Sequence, residues 1–264
     1  MTSRSLEEEI NINELTETLR KTNNNSAPGS TGFSYAFYKT FWADLKFFIL
    51  NAANYSYSIR LLPESQRLGV ISLLPKGNKP KDNLSNWRPI TLLNCVYKLI
   101  SGVIAERINS VLPDIVHSDQ NGFVRGRYIG EGIRTVFDTL NFAKNNKKLG
   151  LLTLIDFEKA FDSISFKFIE KTLEFFNFGQ YIKNWVRTLL SNFTAVINHA
   201  GNISERFNIS RGCRQGDPIA SLLFILCIEI LAIKIRTSGL KGFTANQIEI
   251  LVTLFADDLT LLPS

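Results

Sequence analysis

Two adjacent aspartates, Asp257 and Asp258, stand in the middle of the apolar stretch Leu254-Phe255-Ala256-Asp257-Asp258-Leu259-Thr260-Leu261-Leu262. The flanks, 248–255 and 259–262, read as two strands. Carboxylates in such surroundings are costly, because burial opposes ionisation and like charges repel. Divalent cations would relieve both penalties. The competing reading is a solvent-exposed hairpin turn, where Asp is simply a good turn residue.

Asp156 shifts the balance. It ends the apolar run Gly150 to Asp156, which reads as a buried central strand, and is followed by Phe157, Glu158, Lys159, Ala160, Phe161 and Asp162. Two strands that each deliver a carboxylate at one end can set them side by side, a cluster suited to two Mg²⁺ ions about 3.5–4 Å apart. Taken alone, Asp156 and Asp162 also read as caps. The segment Arg211-Gly212-Cys213-Arg214-Gln215-Gly216-Asp217-Pro218 is a glycine-punctuated loop that feeds a helix start. Its backbone can approach a phosphate or sugar closely, although a loop and cap without ligand fits as well.

The remaining pattern mixes helices and strands. An amphipathic helix is expected over 6–21, a turn-rich loop over 23–32 and helix over much of 33–59. A strand follows at 70–74, then a basic loop at 75–86. Helices are expected at 94–112, ended by Pro113, at 131–145, at 165–177, closed near Gly179, and from Asp217 to about Arg236. Residues 196–209 resemble a hairpin with Gly201-Asn202 at its tip.

Charge and composition narrow the class. Hydrophobic residues make up 45% of 264 and charged ones 20%, enough for a sizeable core, and the net charge of +6 suits a polyanionic partner. Arg60, Arg67, Lys76, Lys79, Lys81, Arg88, Lys98 and Arg107, interleaved with Trp87 and Tyr97, read as a phosphate-contacting surface or as a solvated charged face. Three cysteines at no metal-ligand spacing point to buried thiols in a reducing, intracellular compartment. No signal peptide or transmembrane segment is expected: the longest apolar stretch, 222–235, is broken by Glu229 and Lys234 and falls short of the roughly 20 residues a span needs.

In this order the segments resemble the reverse transcriptases, most closely those of non-LTR (long interspersed element) retrotransposons. The resemblance runs through NNNSAPGSTGFSYAFYKTFW, SLLPKGNKPKDNLSNWRPITLLNCVYKLI, HSDQNGFVRGR, TLIDFEKAFDSI, RGCRQGDPIASLLFILCIEIL and LFADDLTLL. It implies an α+β right-hand polymerase fold with an antiparallel palm sheet backed by helices. On that division residues 1–60 form a mostly helical N-terminal extension, 61–150 the fingers, and 151–264 an incomplete palm with motifs A, B and C, the thumb being absent. It implies catalytic and metal-ligating roles for Asp156, Asp257 and Asp258, with two Mg²⁺ ions and Mn²⁺ able to substitute. Lys76 and Arg88 match residues that hold the incoming triphosphate, and Phe161 matches a steric gate against a ribose 2′-OH. Gln215 and Gly216 match the pair beside the sugar and templating base, and Phe157 and Ala160 are further nucleotide-binding positions.

The implied partners are an RNA template, a DNA primer and dNTP, with no membrane; the oligomeric state is not legible. Nuclear residence would suit target-primed integration, although no localisation motif is evident. A chain ending at Ser264 is expected to synthesise poorly or not at all processively. The alternatives are a non-catalytic nucleic-acid-binding remnant of the same fold and a group II intron-type enzyme. An RNA-dependent RNA polymerase is disfavoured by Phe161.

Overall fold

A computed structural model of the chain describes residues 6–245 and 248–264. Helix α1 (Ile12–Lys21) starts at a reciprocal cap: the Asn11 side chain accepts the Glu14 amide while Glu14 accepts that of Asn11. The helix expected over 6–21 is therefore shorter, with Leu6 and Ile10 buried ahead of it. Ser34 caps α2 (Tyr35–Thr40), and a break at Phe41 separates it from α3 (Trp42–Ile59). Strands β1 (Leu68–Pro75) and β2 (Trp87–Leu92) form an antiparallel hairpin around the basic loop. Helices α4 (Cys95–Ile115) and α5 (Ile129–Asn145) lead to β3 (Thr153–Ile155). Three helices follow: α6 (Ala160–Ser163), α7 (Phe166–Phe175) and α8 (Gln180–Leu190). Then come β4 (Thr194–His199), β5 (Asn202–Ile203), β6 (Phe207–Asn208), the long apolar α9 (Ala220–Arg236), β7 (Phe243–Ala245), β8 (Ile248–Ile250), β9 (Val252–Phe255) and β10 (Asp258–Leu261).

The fold is α+β. One sheet is mixed, in the order β2-β1-β4-β5 with β6 also on β4, and β1 and β4 run parallel. The second is antiparallel, in the order β3-β10-β9. Residues 119–121 lie along the outer edge of β9: Leu254 donates to the Asp119 carbonyl and the Asn121 amide donates to that of Leu254, both at 2.8 Å. The main core lies among the helices, where Leu15, Ile104, Ile108, Ile169, Trp185 and Leu223 are essentially inaccessible. A smaller core joins α9 to the antiparallel sheet through Ala232, Val252, Leu254 and Leu259.

Several expectations need correction. Gly150 to Asp156 is not a buried central strand: β3 holds three residues, is not the middle strand of its sheet, and leaves Leu154 73% exposed. Pro113 lies inside α4, in its last turn, where a proline forfeits one backbone bond and the Val116 amide still closes on Leu112. Asn177, not Gly179, takes the left-handed position after α7, and Gly179 caps α8 instead. The tip after β4 is Ala200-Gly201, both with positive φ, one residue earlier than expected. Two members of the basic, aromatic stretch are interior. Tyr97 is buried against Asp217 and Phe193, and Arg107 is buried against Glu14 at 2.7 Å while bonding the Glu8 and Glu9 carbonyls. All three cysteines are buried and free, and burial pushes the Cys227 thiol up to about 12.

Candidate active site

The alternation of β3 and β10 decides where the carboxylates go. Leu259 pairs with Ile155 and turns toward α9, so the neighbouring positions present the opposite face. The ladder ends at that pair, which leaves Asp258 and Asp156 as the next residues on the two neighbouring chains, near enough for the Asp156 charge to act on Asp258. Asp257 occupies the turn that joins β9 to β10, where Phe255 pairs with Asp258. The first residue of that turn, Ala256, has φ 57°, a left-handed conformation unusual for alanine. Desolvation first, then the charges of Asp257 and Asp156, raise the Asp258 carboxyl above its ordinary value.

Among the described residues no three His, Cys, Asp or Glu side chains stand close enough to hold a metal ion as they are. The donor chemistry nevertheless fits a hard divalent cation: the groups are all carboxylates, and the repulsion felt at Asp258 is what a cation would cancel.

Beside the carboxylates, residues 211–216 pass between the chain after β3 and strand β2. Cys213 donates to the Phe161 carbonyl at 2.7 Å and Gly212 to that of Ile164 at 2.8 Å. On the other side the Thr91 amide of β2 donates to the Gln215 carbonyl at 2.9 Å. Gly216 has φ 109°, and a Cβ there would lie 2.5 Å from the Thr91 carbonyl oxygen, so only glycine fits. A cavity of about 350 Å³ opens here, lined by Phe123, Phe161, Arg214, Gln215, Gly216 and Ser221 among others. The Phe161 ring stacks on Phe224 with centroids 4.2 Å apart and meets Phe123 edge-on at 6.5 Å.

Beneath the loop a polar knot is sealed from solvent. The Arg214 guanidinium donates to Asp217 at 2.7 Å and to the Leu189 carbonyl at 3.1 Å, and lies 3.8 Å over the Phe193 ring. Tyr97 donates to the same Asp217 carboxylate at 2.6 Å, and Ser101 donates to its other oxygen. At the far end of the β1–β2 hairpin, Arg88 pairs with Leu74 in the ladder and Lys76 follows one residue after β1. The Lys76 ammonium bonds the Ser85 carbonyl at 2.9 Å. Arg88 lies three positions before Thr91 on β2, about 10 Å along the strand.

Over residues 75–264 the sequence matches the family described as reverse transcriptase (RNA-dependent DNA polymerase). The chain belongs to the reverse transcriptase family. Relatives of this reverse transcriptase chain include the uncharacterized 149 kDa protein of transposon TX1 from Xenopus laevis, 30% identical over 97% of this chain and 20% of its own length. Another is the Pol polyprotein of the type-1 retrotransposable element R2 from Popillia japonica, 28% identical over 72% of this chain and 27% of its own. A third, a probable RNA-directed DNA polymerase from transposon X-element of Drosophila melanogaster, is 27% identical over 81% of this chain and 24% of its own. These are non-LTR retrotransposon proteins, and the chain spans about a fifth to a quarter of their length.

The reverse transcriptase domain brings Asp156, Asp257 and Asp258 to one end of one sheet, and Phe161, Gln215 and Gly216 to one cavity. Phe157 and Ala160 instead line a separate apolar groove against Phe224, Ile228 and Leu231 of α9. Sequence reading missed Thr91, Gln120, Gly122 and the Tyr97–Ser101–Arg214–Asp217 knot. Gln120 and Gly122 lay inside the HSDQNGFVRGR segment, where a polar triplet next to glycine was the available hint. Nothing local marked Ser101 or Thr91.

Proposed function

We propose that this domain is an RNA-directed DNA polymerase in which Asp156, Asp257 and Asp258 hold two Mg²⁺ ions, with Mn²⁺ able to substitute. The observation that supports the reading is the Leu259–Ile155 pairing, from which Asp258 and Asp156 are the next residues on neighbouring chains, with Asp257 in the adjoining turn. Bound there, the ions would activate the primer 3′-hydroxyl and stabilise the leaving pyrophosphate. Residues 61–150 act as fingers and 151–264 as palm, behind a helical N-terminal extension over 1–60. RNA template, DNA primer and dNTP are the partners, and nuclear residence suits target-primed integration.

The chain's own residues supply positioning and charge. Lys76 exchanges its Ser85 carbonyl for the incoming triphosphate, and Arg88 adds a second positive charge to that phosphate chain. Gln215 and Gly216 border the sugar and templating base, and the Phe161 ring occupies the space a 2′-OH would need. Phe157 and Ala160 stiffen the turn that carries Phe161: the Ala160 amide bonds the Phe157 carbonyl at 3.3 Å.

Single-nucleotide addition to a DNA primer annealed to RNA, with protein in excess, tests the reading. Extension is expected to need Mg²⁺ or Mn²⁺ and to fall by at least about 1,000-fold in Asp257→Asn and Asp156→Asn, since each removes a group acting only through the ions. Duplex binding without extension in the unsubstituted protein would favour a binding remnant of the fold.

A further inference from the structure

The aspartate turn is gripped from outside by one side chain. Gln120 is fully buried, and its Oε1 accepts the Gly122 amide at 2.8 Å and the Ala256 amide at 2.9 Å. Its Nε2 donates to the Ala256 carbonyl at 3.4 Å. Both backbone polar groups of one turn residue are therefore taken by a single amide. That residue is the alanine held at φ 57°, a conformation that persists only where surroundings over-determine it.

A second observation is independent of these bonds. A Cβ on Gly122 would lie 2.4 Å from the Ala256 nitrogen, so the segment reaches the turn this closely only because residue 122 is glycine. The segment is itself anchored: the Asp119 and Asn121 backbones pair with Leu254, and the Asp119 carboxylate meets Arg236 of α9 at 2.8 Å. The chain thus runs from a helix-anchored salt bridge, through Gln120, to the residue immediately before Asp257.

We infer that Gln120 is a positioning residue for the aspartate pair, fixing the turn so that Asp257 and Asp258 stand against Asp156. The role of the pair as cation ligands rests on the function proposed above; the grip on the turn does not. Leucine at 120 keeps the volume and leaves the Gly122 and Ala256 amides without an acceptor. Glutamate keeps the acceptor and, in the protonated form that burial favours, an O–H donor toward the Ala256 carbonyl.

Two readouts on the full chain test this: amide hydrogen exchange at Ala256, Asp257 and Asp258, and Mn²⁺ binding by water-proton relaxation. In Gln120→Leu the Ala256 amide is expected to exchange on the order of 100-fold faster while α9 and β3 exchange as before. Mn²⁺ binding should weaken about ten-fold or more, as when an outer-shell partner is removed. Gln120→Glu should stay within a few-fold of the unsubstituted protein in both. If Gln120→Leu does not fold, Gly122→Ala should give the same local signature by pushing the turn away. Unchanged exchange at Ala256, or acceleration shared equally by the whole sheet, would overturn the inference. A turn loosened by Gln120→Leu in a protein that never binds Mn²⁺ would uphold the grip while removing the cation reading.

Discussion

Phe161 is a rigid wall because its ring is stacked at 4.2 Å on Phe224 and buttressed edge-on by Phe123. Valine at 161 would open the cavity beside Gln215 and Gly216. The expected outcome is a gain in ribonucleotide over deoxyribonucleotide insertion on the order of 10–100-fold, measured by single-nucleotide addition. Unchanged sugar preference would reduce Phe161 to packing against Phe224. At Asp258 the raised carboxyl has a pH consequence. A group whose folded value lies above its unfolded one favours folding when protonated; that contribution is complete at low pH and is lost as pH rises through the raised value. Asp258→Asn should therefore melt higher than the unsubstituted protein at pH 7 without metal, the gap closing as pH falls toward about 4. Millimolar Mg²⁺ should narrow or reverse the gap by stabilising the protein that keeps its carboxylate. Identical melting at pH 7 would mean that the three charges do not sense one another. At this scale the carboxylates were legible because charge inside an apolar run has few structural excuses. Gln120 was not, since a buried glutamine looks like a surface one until its partner Ala256, 136 positions away, is known.

Elements meet through the loop of residues 211–216, whose base is the buried Arg214–Asp217 pair. Removing one member leaves the other charged and unpaired in the core, at a cost of about 3–5 kcal/mol. Arg214→Met should lower stability by that amount in denaturant titrations. Pairing it with Asp217→Leu should recover part of the loss, because no lone charge remains. Equal destabilisation by single and double variants would show that hydrogen bonds from Tyr97 and Ser101, not charge compensation, hold the loop. Long helices such as α5 and α9 were readable from spacing, but their starts were not: α5 begins after Tyr128 and α9 after Ile219 rather than at Asp217, neither with a side-chain cap. Strand β2 was not, because Pro89 argues against a strand; it is tolerated at the edge of the sheet, where the missing amide has no partner to disappoint. The run 150–156 misled for a different reason. An unbroken apolar pattern signals burial on both faces, yet only one face of β3 packs on α9, and Leu154 lies on the other.

For the molecule as a whole, the pattern of helices and strands pointed to an α+β domain, the net charge to a polyanionic partner, and the order of motifs to the family. Neither could show that the strands divide into a mixed sheet and an antiparallel one, because that depends on which distant segments pair. Net charge was equally blunt: Arg107 contributes to the +6 yet is spent inside the fold on Glu14. The proposed chemistry needs acidic side chains about a hundred residues apart in sequence to share cations at one end of the antiparallel sheet. Anomalous diffraction from crystals grown with Mn²⁺, an RNA–DNA primer–template and dNTP measures this directly. Two peaks about 3.5–4 Å apart are expected between Asp156 and the Asp257–Asp258 turn. Peaks held by the triphosphate alone and remote from Asp156, or none at this end of the sheet, would contradict that chemistry.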